Sequence, residues 1–404
     1  MLFRLIRNFR NDRRGNLAVT AGLLGVPLAI AGAMGIDSAN MSRLKSGMQN
    51  AADAAVMTAA LNLGRPDVGA YAGKVFDSNI AEDNYGTQSA RPVYSYGGVT
   101  HDADGNPVVT VSASLAYQRM INVAPGSNTA GSRTISVSAK ATLPPGDPAC
   151  IFALSGTASR SINVAGSTTV DIDGCVVGSN STADDSIYVG GAGTLDADCV
   201  VSSGGIDAGT GLTTDCSANR EHYIQSPDPL ATVPEPLPGV LLANPAKKDT
   251  TVAAGRYNDL DLDGTKTLAP GLYYIDGDLT VHGDITGTGV TFYLANGSVK
   301  INGAANLVIT PPTTGDYAGI SFFGGRTNTN SQSFTGSGTI SLDGFVYFPA
   351  ADVTYQGNST SYSQCMRIVA NTVTMTGNSD LSADCSAVLG GREALLAGQP
   401  YISG

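Results

Sequence analysis

Apolar residues at helical spacing run through the first sixty positions of the chain. An uncharged run of twenty residues, 17–36, leads into a stretch in which apolar residues recur every three or four positions. The recurring residues are Met41, Leu44, Met48, Ala52, Ala55, Ala59 and Leu63. At 1.5 Å per residue the uncharged run is about 30 Å long, which is the thickness of the hydrocarbon layer of a membrane. The pattern predicts one helix that crosses a membrane at residues 17–36 and continues as an amphipathic stalk to about Gly64.

The pattern changes from helical to alternating after the stalk. Residues 68–80 fit a second short helix, whereas residues 107–115 and 134–141 alternate between apolar and polar side chains, as strands do. Residues 37–147 are therefore expected to form one small α+β unit in which the stalk helix packs on an antiparallel sheet. The apolar stripe of the stalk has two interpretations, because it can pack on this sheet or on another subunit of a homo-oligomer.

Beyond residue 148 the apolar pattern repeats. Each repeat has a short apolar strand that ends at a Gly, and neighbouring repeats are 20 to 24 residues apart. The glycines are Gly166, Gly190, Gly283, Gly303, Gly336, Gly357 and Gly377. Repeats of this length, with two or three short strands each, are typical of a parallel β-helix or a related solenoid. The Gly residues would form the corners, and the Val, Ile, Leu and Phe side chains would stack in the core.

An antiparallel β-sandwich with the same turns is the competing fold for residues 148–404. Residues 143–148, Leu-Pro-Pro-Gly-Asp-Pro, predict a stiff linker before this domain. Residues 226–238 contain five prolines and cannot form regular strands, so we expect them to cross the surface between two sets of coils. The sequence thus predicts a mainly β protein in four parts, which are residues 1–16, 17–36, 37–147 and 148–404.

The composition supports this division. Only 14% of the residues are charged and 50 of the 404 are Gly, against about 25% and about 7% in average proteins. A solenoid with Gly corners and a Ser- and Thr-rich surface explains both values. The first sixteen residues contain Arg4, Arg7, Arg10, Arg13 and Arg14, whereas 18 basic and 33 acidic residues follow residue 36. The basic tail is expected to stay in the cytoplasm, and the net charge of −15 beyond residue 36 argues against nucleic-acid binding.

Removal of a signal peptide is the alternative to a retained anchor. The pairs Ala29 with Ala31 and Ala31 with Ala33 both satisfy the small-x-small cleavage rule. The apolar run is, however, longer than the usual signal-peptide core of about 7–15 residues. Its helical pattern also continues into the stalk, so we expect the segment to be retained.

Several of these segments resemble one protein family. The N-terminal stretches concerned are Arg13-Arg14-Gly15-Asn16-Leu17-Ala18, Gly35-Ile36-Asp37, Leu44, and Asn50-Ala51-Ala52-Asp53-Ala54-Ala55. They resemble the N-terminal segment of TadG/TadE-like proteins, which belong to the Flp (tight adherence) pilus assembly system of bacteria. Residues 119–123 resemble a later part of the same family. Residues 228–231, 269–275, 317–323, 347–351 and 368–373 resemble the β-rich C-terminal part of long TadG-like proteins.

The resemblance implies a pilin-like first helix and a role in pilus assembly or anchoring rather than in catalysis. It implies a single-pass bacterial inner-membrane protein whose N-terminus is cytoplasmic and whose bulk is periplasmic or extracellular. Other pilus assembly proteins or pilin subunits would be its partners. Type IV prepilins are cut after a Gly that is followed five residues later by Glu. Gly15 and Asn16 would be the candidate cleavage site, but Thr20 replaces the Glu, so we expect an uncleaved anchor.

The six Cys residues predict disulfides, because all of them lie in the exported part. Cys175, Cys199, Cys365 and Cys385 occupy the same place in their repeats, and equivalent positions of adjacent coils lie about 4.8 Å apart, which a disulfide tolerates. The strongest single prediction is the pair Cys365–Cys385. For the other four, Cys150–Cys175 with Cys199–Cys216 competes with Cys175–Cys199 plus Cys150–Cys216.

The sequence predicts no metal site and no cofactor. It has no Cys-x-x-Cys pair, and His101, His222 and His282 are scattered. The sequence of residues 101–105 predicts a hairpin turn. Asp259, Asp261 and Asp263 imitate the start of a calcium loop, but Pro270 stands where that loop needs Glu, so a solvated acidic face is expected.

Two functions other than pilus assembly remain open at this stage. The chain could be a surface adhesin or a carbohydrate-binding protein, which the same exported solenoid would suit. It could also be a polysaccharide-active enzyme, since β-helix enzymes gather several Asp side chains in one groove. The adjacent Asp184 and Asp185 are candidates for such a groove, but in a strand they would face opposite sides. We therefore predict no catalytic residues.

Overall fold

The computed structural model describes residues 15–63, 65–80, 91–119, 132–216, 219–301, 303–357, 365–382, 385 and 387–403. The basic residues 1–14, Gly64 and most of segment 119–123 lie outside these ranges. The chain divides into two compact units. Unit 1 comprises residues 1–143 and 400–404, and unit 2 comprises residues 144–399.

Unit 1 combines two helices with a four-stranded antiparallel sheet. Its elements are α1 (Gly15–Ala60), α2 (Val68–Asn79), β1 (Val93–His101), β2 (Pro107–Gln118), β3 (Ser132–Thr142) and β27 (Tyr401–Ile402). The strand order is β1-β2-β3-β27. As predicted, α1 runs without interruption from the apolar segment into the stalk. The predicted hairpin turn is also present between β1 and β2, where Asp102 accepts hydrogen bonds from the N–H groups of Asp104 and Asn106.

The apolar stripe of the stalk packs on the sheet of the same chain. Leu44, Met48, Ala52, Ala55 and Ala59 are buried in one cluster with every second residue of β2 and β3. The small Ala side chains let the helix lie close to the sheet. This confirms the first interpretation of the stripe, and the buried face is not available to another subunit.

Unit 2 is a parallel β-solenoid of about ten turns, which confirms the predicted β-helix and excludes the sandwich. Its first block of strands is β4 (Pro145–Ala153), β5 (Ile162–Val164), β6 (Thr169–Ser179), β7 (Ile187–Val189), β8 (Thr194–Ser202), β9 (Ile206–Asp207) and β10 (Leu212–Thr214).

The second block begins after a long connecting segment, residues 215–250. Its strands are β11 (Thr251–Val252), β12 (Gly255–Tyr257), β13 (Leu260–Leu262), β14 (Lys266–Leu268), β15 (Gly271–Ile275), β16 (Leu279–Val281), β17 (Asp284–Thr288), β18 (Val290–Leu294), β19 (Val299–Ile301), β20 (Asn306–Thr310), β21 (Ile320–Gly324), β22 (Gln332–Phe334), β23 (Ile340–Leu342), β24 (Gly344–Gly357) and β25 (Met366–Ser382). The short strand β26 (Leu395–Ala397) follows.

The coils do not stack in chain order. The last coil of the second block, β25, pairs in parallel with β24 on one side and with β4, β5 and β6 of the first block on the other. The chain therefore enters the solenoid in its middle and winds outward to β10 at one end. It then crosses to β11 at the other end and winds back to the middle.

Inward side chains stack from coil to coil along the axis. The rings of Tyr273, Phe292 and Phe322 come from three successive coils, with centroid distances of 5.4 and 5.0 Å. Phe334, from the same coil as Phe322, meets the Phe322 ring edge-on at 5.0 Å and completes this ladder. Corners need Gly for two reasons. Gly166 has a φ of +84°, which L side chains rarely adopt, and a side chain on Gly283 would strike the backbone of Gly264 in the neighbouring coil.

The structure corrects three details of the sequence reading. The prediction of a linker at residues 143–148 is wrong, because β4 begins at Pro145 and its first residues pair antiparallel with β26. Proline is tolerated in this strand because the pairing lies at the edge of the sheet. Residues Tyr401–Ile402 are not part of the solenoid but pair with β3 of unit 1. Gly191, not Gly190, is the corner equivalent to Gly166, since Val189 pairs with Val164.

Candidate functional site

The first functional feature is an exposed apolar segment at the start of α1. Of the described helices, only α1 is long and apolar enough to span a membrane. Five of its large apolar side chains are 52–70% exposed, and these are Leu23, Leu24, Leu28, Met34 and Ile36. A continuous apolar surface of this kind is unusual on a soluble protein. The segment is therefore suited to a lipid environment.

The exposed apolar segment ends where the sheet of unit 1 begins. Asp37, the residue after Ile36, is only 7% exposed and accepts a hydrogen bond from the hydroxyl of Tyr117 at 3.0 Å. Tyr117 lies near the end of β2, 80 residues away in sequence. Asp37 belongs to the N-terminal segment that resembles TadG/TadE-like proteins, but nothing in its local sequence indicates that Tyr117 is its partner. Gly15 and Asn16 are the first residues of α1, and cleavage between them stays a prediction.

All six cysteines form disulfides within unit 2. The pairs are Cys150–Cys175, Cys199–Cys216 and Cys365–Cys385, with Cα–Cα distances of 5.7, 5.2 and 5.1 Å. Cys365–Cys385 is the pair that the repeat register predicts. Of the two alternatives for the other four, the structure has Cys150–Cys175 with Cys199–Cys216. Each disulfide joins positions about one coil apart in sequence, so each ties neighbouring turns together.

A buried arginine lies at the junction between the two blocks. Arg367 of β25 is 3% exposed, and its guanidinium contacts both sulfur atoms of the Cys150–Cys175 disulfide in the first block. Burial lowers the pKa of Arg367 to about 10, and the charge of Glu393 opposes this shift. The group therefore stays protonated at neutral pH. The sequence offered no signal for this contact, because Arg367 and Cys150 are 217 residues apart.

The connecting segment closes both ends of the solenoid. At one end, Arg220 makes a parallel bridge to Val201 of β8. At the other end, Leu241 makes a parallel bridge to Arg256 of β12, and Lys266 donates to the carbonyls of Ala246 and Asp249 at 3.0 and 2.7 Å. Edge strands left open are sites of aggregation. One segment thus protects strands at both ends.

Between these ends, residues 226–238 cover an outer ladder of aromatic rings, as the sequence expectation of a surface crossing implies. The rings of Tyr274, Tyr293, Phe323 and Tyr347 follow one another at centroid distances of 5.0–5.3 Å. The Tyr347 hydroxyl donates to Asp228 at 2.6 Å and the Tyr293 hydroxyl donates to Glu235 at 3.3 Å. Burial, followed by these carboxylates, raises the pKa of both tyrosines.

Arg326 is the main polar anchor of residues 226–238. Its guanidinium donates to the carbonyls of Leu230, Ala231 and Val233 at 3.2, 3.0 and 2.8 Å. Its backbone N–H donates to Glu235 at 2.7 Å. The proline-rich residues cannot provide strand hydrogen bonds of their own, so this one side chain replaces a ladder.

Arg326→Met is expected to loosen the covering segment without unfolding the solenoid. Hydrogen bonds from a charged group contribute about 1.5–3 kcal/mol each to stability, so amide exchange in residues 228–238 should accelerate at least about 10-fold. Hydrogen-exchange mass spectrometry of the full chain measures this. Lys300→Met removes the exposed ion pair with Asp278 and serves as the control that should leave residues 228–238 unchanged. Equal exchange rates in the two variants would contradict the anchoring role.

On a second face of the solenoid, the described residues include no covering segment of this kind, although the guanidinium of Arg160 lies over the ring of Tyr188. Nine stacked strands each contribute one residue to a single column along this face. In stacking order the residues are Asp261, Thr280, Lys300, Ser333, Thr354, Thr374, Asn163, Tyr188 and Asp207. All nine side chains are partly or fully exposed. At about 4.8 Å per strand the column is about 38 Å long. It is a polar strip in which five of the nine residues carry hydroxyl groups.

The acidic and histidine candidates have local structural partners. Asp263 pairs with Lys247 at 2.9 Å, Asp259 accepts the N–H of Asp278, and Asp261 lies 3.7 Å from His282. Asp184 and Asp185 lie in the turn before β7 rather than in a strand, where Asp185 binds Ser159 and Arg160. His101 and His222 lie in different units. Within the described ranges, no group of three or more His, Cys, Asp or Glu side chains is placed to hold a metal ion.

Comparison with protein-family models, with curated proteins and with solved structures finds no match to this chain. The resemblance to TadG/TadE-like proteins therefore stays a prediction that rests on the quoted sequence segments.

Proposed function

We propose that the chain is a non-catalytic, membrane-anchored component of Flp-type pilus assembly or anchoring. The observation that carries the proposal is the exposed apolar segment of α1, which ends at Asp37, where the contacts of α1 with the sheet of unit 1 begin. This arrangement supports a single-pass anchor with the N-terminus in the cytoplasm, since the basic residues precede the segment. The solenoid would then be held on the periplasmic side of the inner membrane.

The solenoid supports a structural role. Disulfides, stacked rings and the closed ends give a rigid body. The column of partly or fully exposed polar residues offers it a contact surface toward envelope proteins or pilus subunits. Three of the acidic residues that an enzymatic groove would use already have local partners: Asp263 pairs with Lys247, Asp259 accepts a backbone N–H, and Asp185 accepts the Ser159 hydroxyl. The assignment to the pilus system itself rests on the sequence resemblance.

Deleting the gene in the bacterium that encodes the chain tests this proposal. We expect loss of surface pili, restored by the full chain. A version in which residues 1–36 are replaced by a cleavable signal peptide would be exported but not anchored, and it should not restore pili. Normal pili with lost surface attachment would favour the adhesin instead. Glycan cleavage by the purified protein would overturn the non-catalytic role.

A further inference from the structure

The sheet of unit 1 changes from buried core residues to exposed arginines at the end that lies nearest the apolar segment of α1. Along the helix-facing side of β2, the residues at every second position are buried, ending in Leu115 and Tyr117. The next position in this series is Arg119, which is exposed. On β3 the same side reads Arg133, exposed, followed by the buried Ile135. Two arginines thus replace the core residues at one end of the sheet.

The strand register places these two arginines together. Tyr117 pairs directly with Arg133 in the antiparallel ladder, and paired residues point to the same side of a sheet. Arg119 follows two residues after Tyr117, which returns it to that side. Both arginines therefore lie on the side of the sheet that faces α1, just beyond the end of the hydrophobic core.

The hydrogen bond between Tyr117 and Asp37 fixes the height of this sheet end relative to the membrane. Asp37 follows Ile36, the last of the exposed apolar residues of α1. The hydrocarbon layer must therefore end beside Tyr117 if the apolar segment spans it.

Gln49, further along α1, donates to the carbonyl of Ser138, so the sheet end beyond Tyr117 points toward the hydrocarbon. Arg133, which pairs with Tyr117, lies at the boundary, and Arg119 lies about 7 Å on its hydrocarbon side. The lipid headgroups occupy roughly 5–8 Å on the aqueous side, and long arginine side chains reach back to them from such positions.

Two basic residues of α1 approach the headgroup layer from its aqueous side. Arg43 and Lys45 are exposed and lie about 9 and 12 Å beyond Asp37 along the helix. Helical side chains lean toward the helix N-terminus, which here means toward the membrane. Asp37 is the acidic group of α1 at this level, and it is buried beneath the Tyr117 hydroxyl. Among the residues of α1, β2 and β3 that the structure describes at this level, the exposed charge is positive, although the chain beyond residue 36 has a net charge of −15.

We propose that Arg119 and Arg133, with Arg43 and Lys45, form a basic rim that binds the phosphate groups of anionic phospholipids. The rim seats unit 1 on the membrane surface in a defined orientation, instead of leaving it to swing on a helical tether. Guanidinium groups suit this role because their fork of donors matches phosphate oxygens. The inference rests on the proposed membrane anchoring of α1.

The absence of Trp from the sequence provides a direct test. A Ser132→Trp variant of the full chain, reconstituted into nanodiscs, would have its only Trp at the rim. Brominated lipids quench Trp fluorescence on contact. We expect strong quenching in discs that contain phosphatidylglycerol, weaker quenching in phosphatidylcholine discs, and loss of the difference in high salt. Adding Arg119→Gln and Arg133→Gln should lower the ratio of molecules whose unit 1 rests on the membrane to molecules whose unit 1 does not by roughly 10- to 30-fold.

Lys74→Gln with Lys140→Gln is the matched control, since it removes two positive charges from unit 1 away from the rim. Lys140 is seven residues along β3 from Arg133, which is about 23 Å. Quenching that is equal in both kinds of disc, or equal in the rim and control variants, would overturn the rim. Alkaline carbonate extraction separates this result from failure of the anchor. Protein that carbonate releases from the membrane would overturn the anchoring and the rim with it, whereas retained protein without the difference in quenching would overturn the rim alone.

Discussion

Replacing Phe322 with alanine is expected to lower the free energy of unfolding of the solenoid by about 3–5 kcal/mol. The Phe322 side chain is fully buried in the interior ladder. Its ring lies 5.0 Å from the ring of Phe292 and 5.0 Å from that of Phe334, measured between centroids. The substitution removes the transfer energy of the ring, leaves a cavity between two coils, and breaks both aromatic contacts. Few single changes in this chain combine these three losses.

Urea denaturation of the full chain in mild detergent, followed by tyrosine fluorescence, measures this effect. Val308→Ala is the control, because Val308 lies in β20 of a neighbouring coil but points outward and is 40% exposed. Its substitution should change the unfolding free energy by no more than about 0.5 kcal/mol. Similar losses for both variants would show that inward stacking does not dominate the stability of the solenoid.

The parts of the fold that depend on local spacing could be predicted from the sequence. Three-residue strands such as Leu279–Val281 alternate buried and partly exposed side chains. Gly283 follows at a fixed distance because the neighbouring coil leaves no room for a Cβ. These rules operate within one coil, so they recur along the chain and can be counted. The same register predicts that Cys365 and Cys385 lie in contact.

The parts that depend on distant contacts could not be predicted. No spacing rule indicates that β25 stacks on β4 to β6, because every coil presents similar edges and only the path of the whole chain decides the order. The pairing of Pro145 with Ala397 in an edge ladder is hidden for the same reason. The bond between Asp37 and Tyr117 also joins residues whose local patterns are unrelated. The contacts that define the membrane-proximal end of unit 1 and the segment 226–238 mostly join residues that are distant in sequence, so they could not be predicted either.

The central position of β25 leads to the second large prediction, in which Val373→Asp disrupts both blocks of the solenoid. Val373 is fully buried and pairs with Val353 of the second block on one side and with Ile162 of the first block on the other. A carboxylate buried without a partner costs several kcal/mol. In a stack of repeats, stability is approximately a sum over neighbouring contacts, so a break at an internal coil removes two of them.

Ile206→Asp is the matched control for Val373→Asp, since Ile206 occupies the equivalent position in the last coil. The column runs from Val373 through Ile162 and Ile187 to Ile206. Ile206 has one neighbouring coil and is only partly buried, so its substitution should loosen β9 and leave the rest intact. Hydrogen exchange of peptides from both blocks distinguishes the two cases. Fast exchange in residues 151–202 and in residues 344–357 is expected for Val373→Asp alone. If protection of residues 151–202 survived in that variant, the first block would be stable without β25, and stacking on the second block would not be what holds it folded.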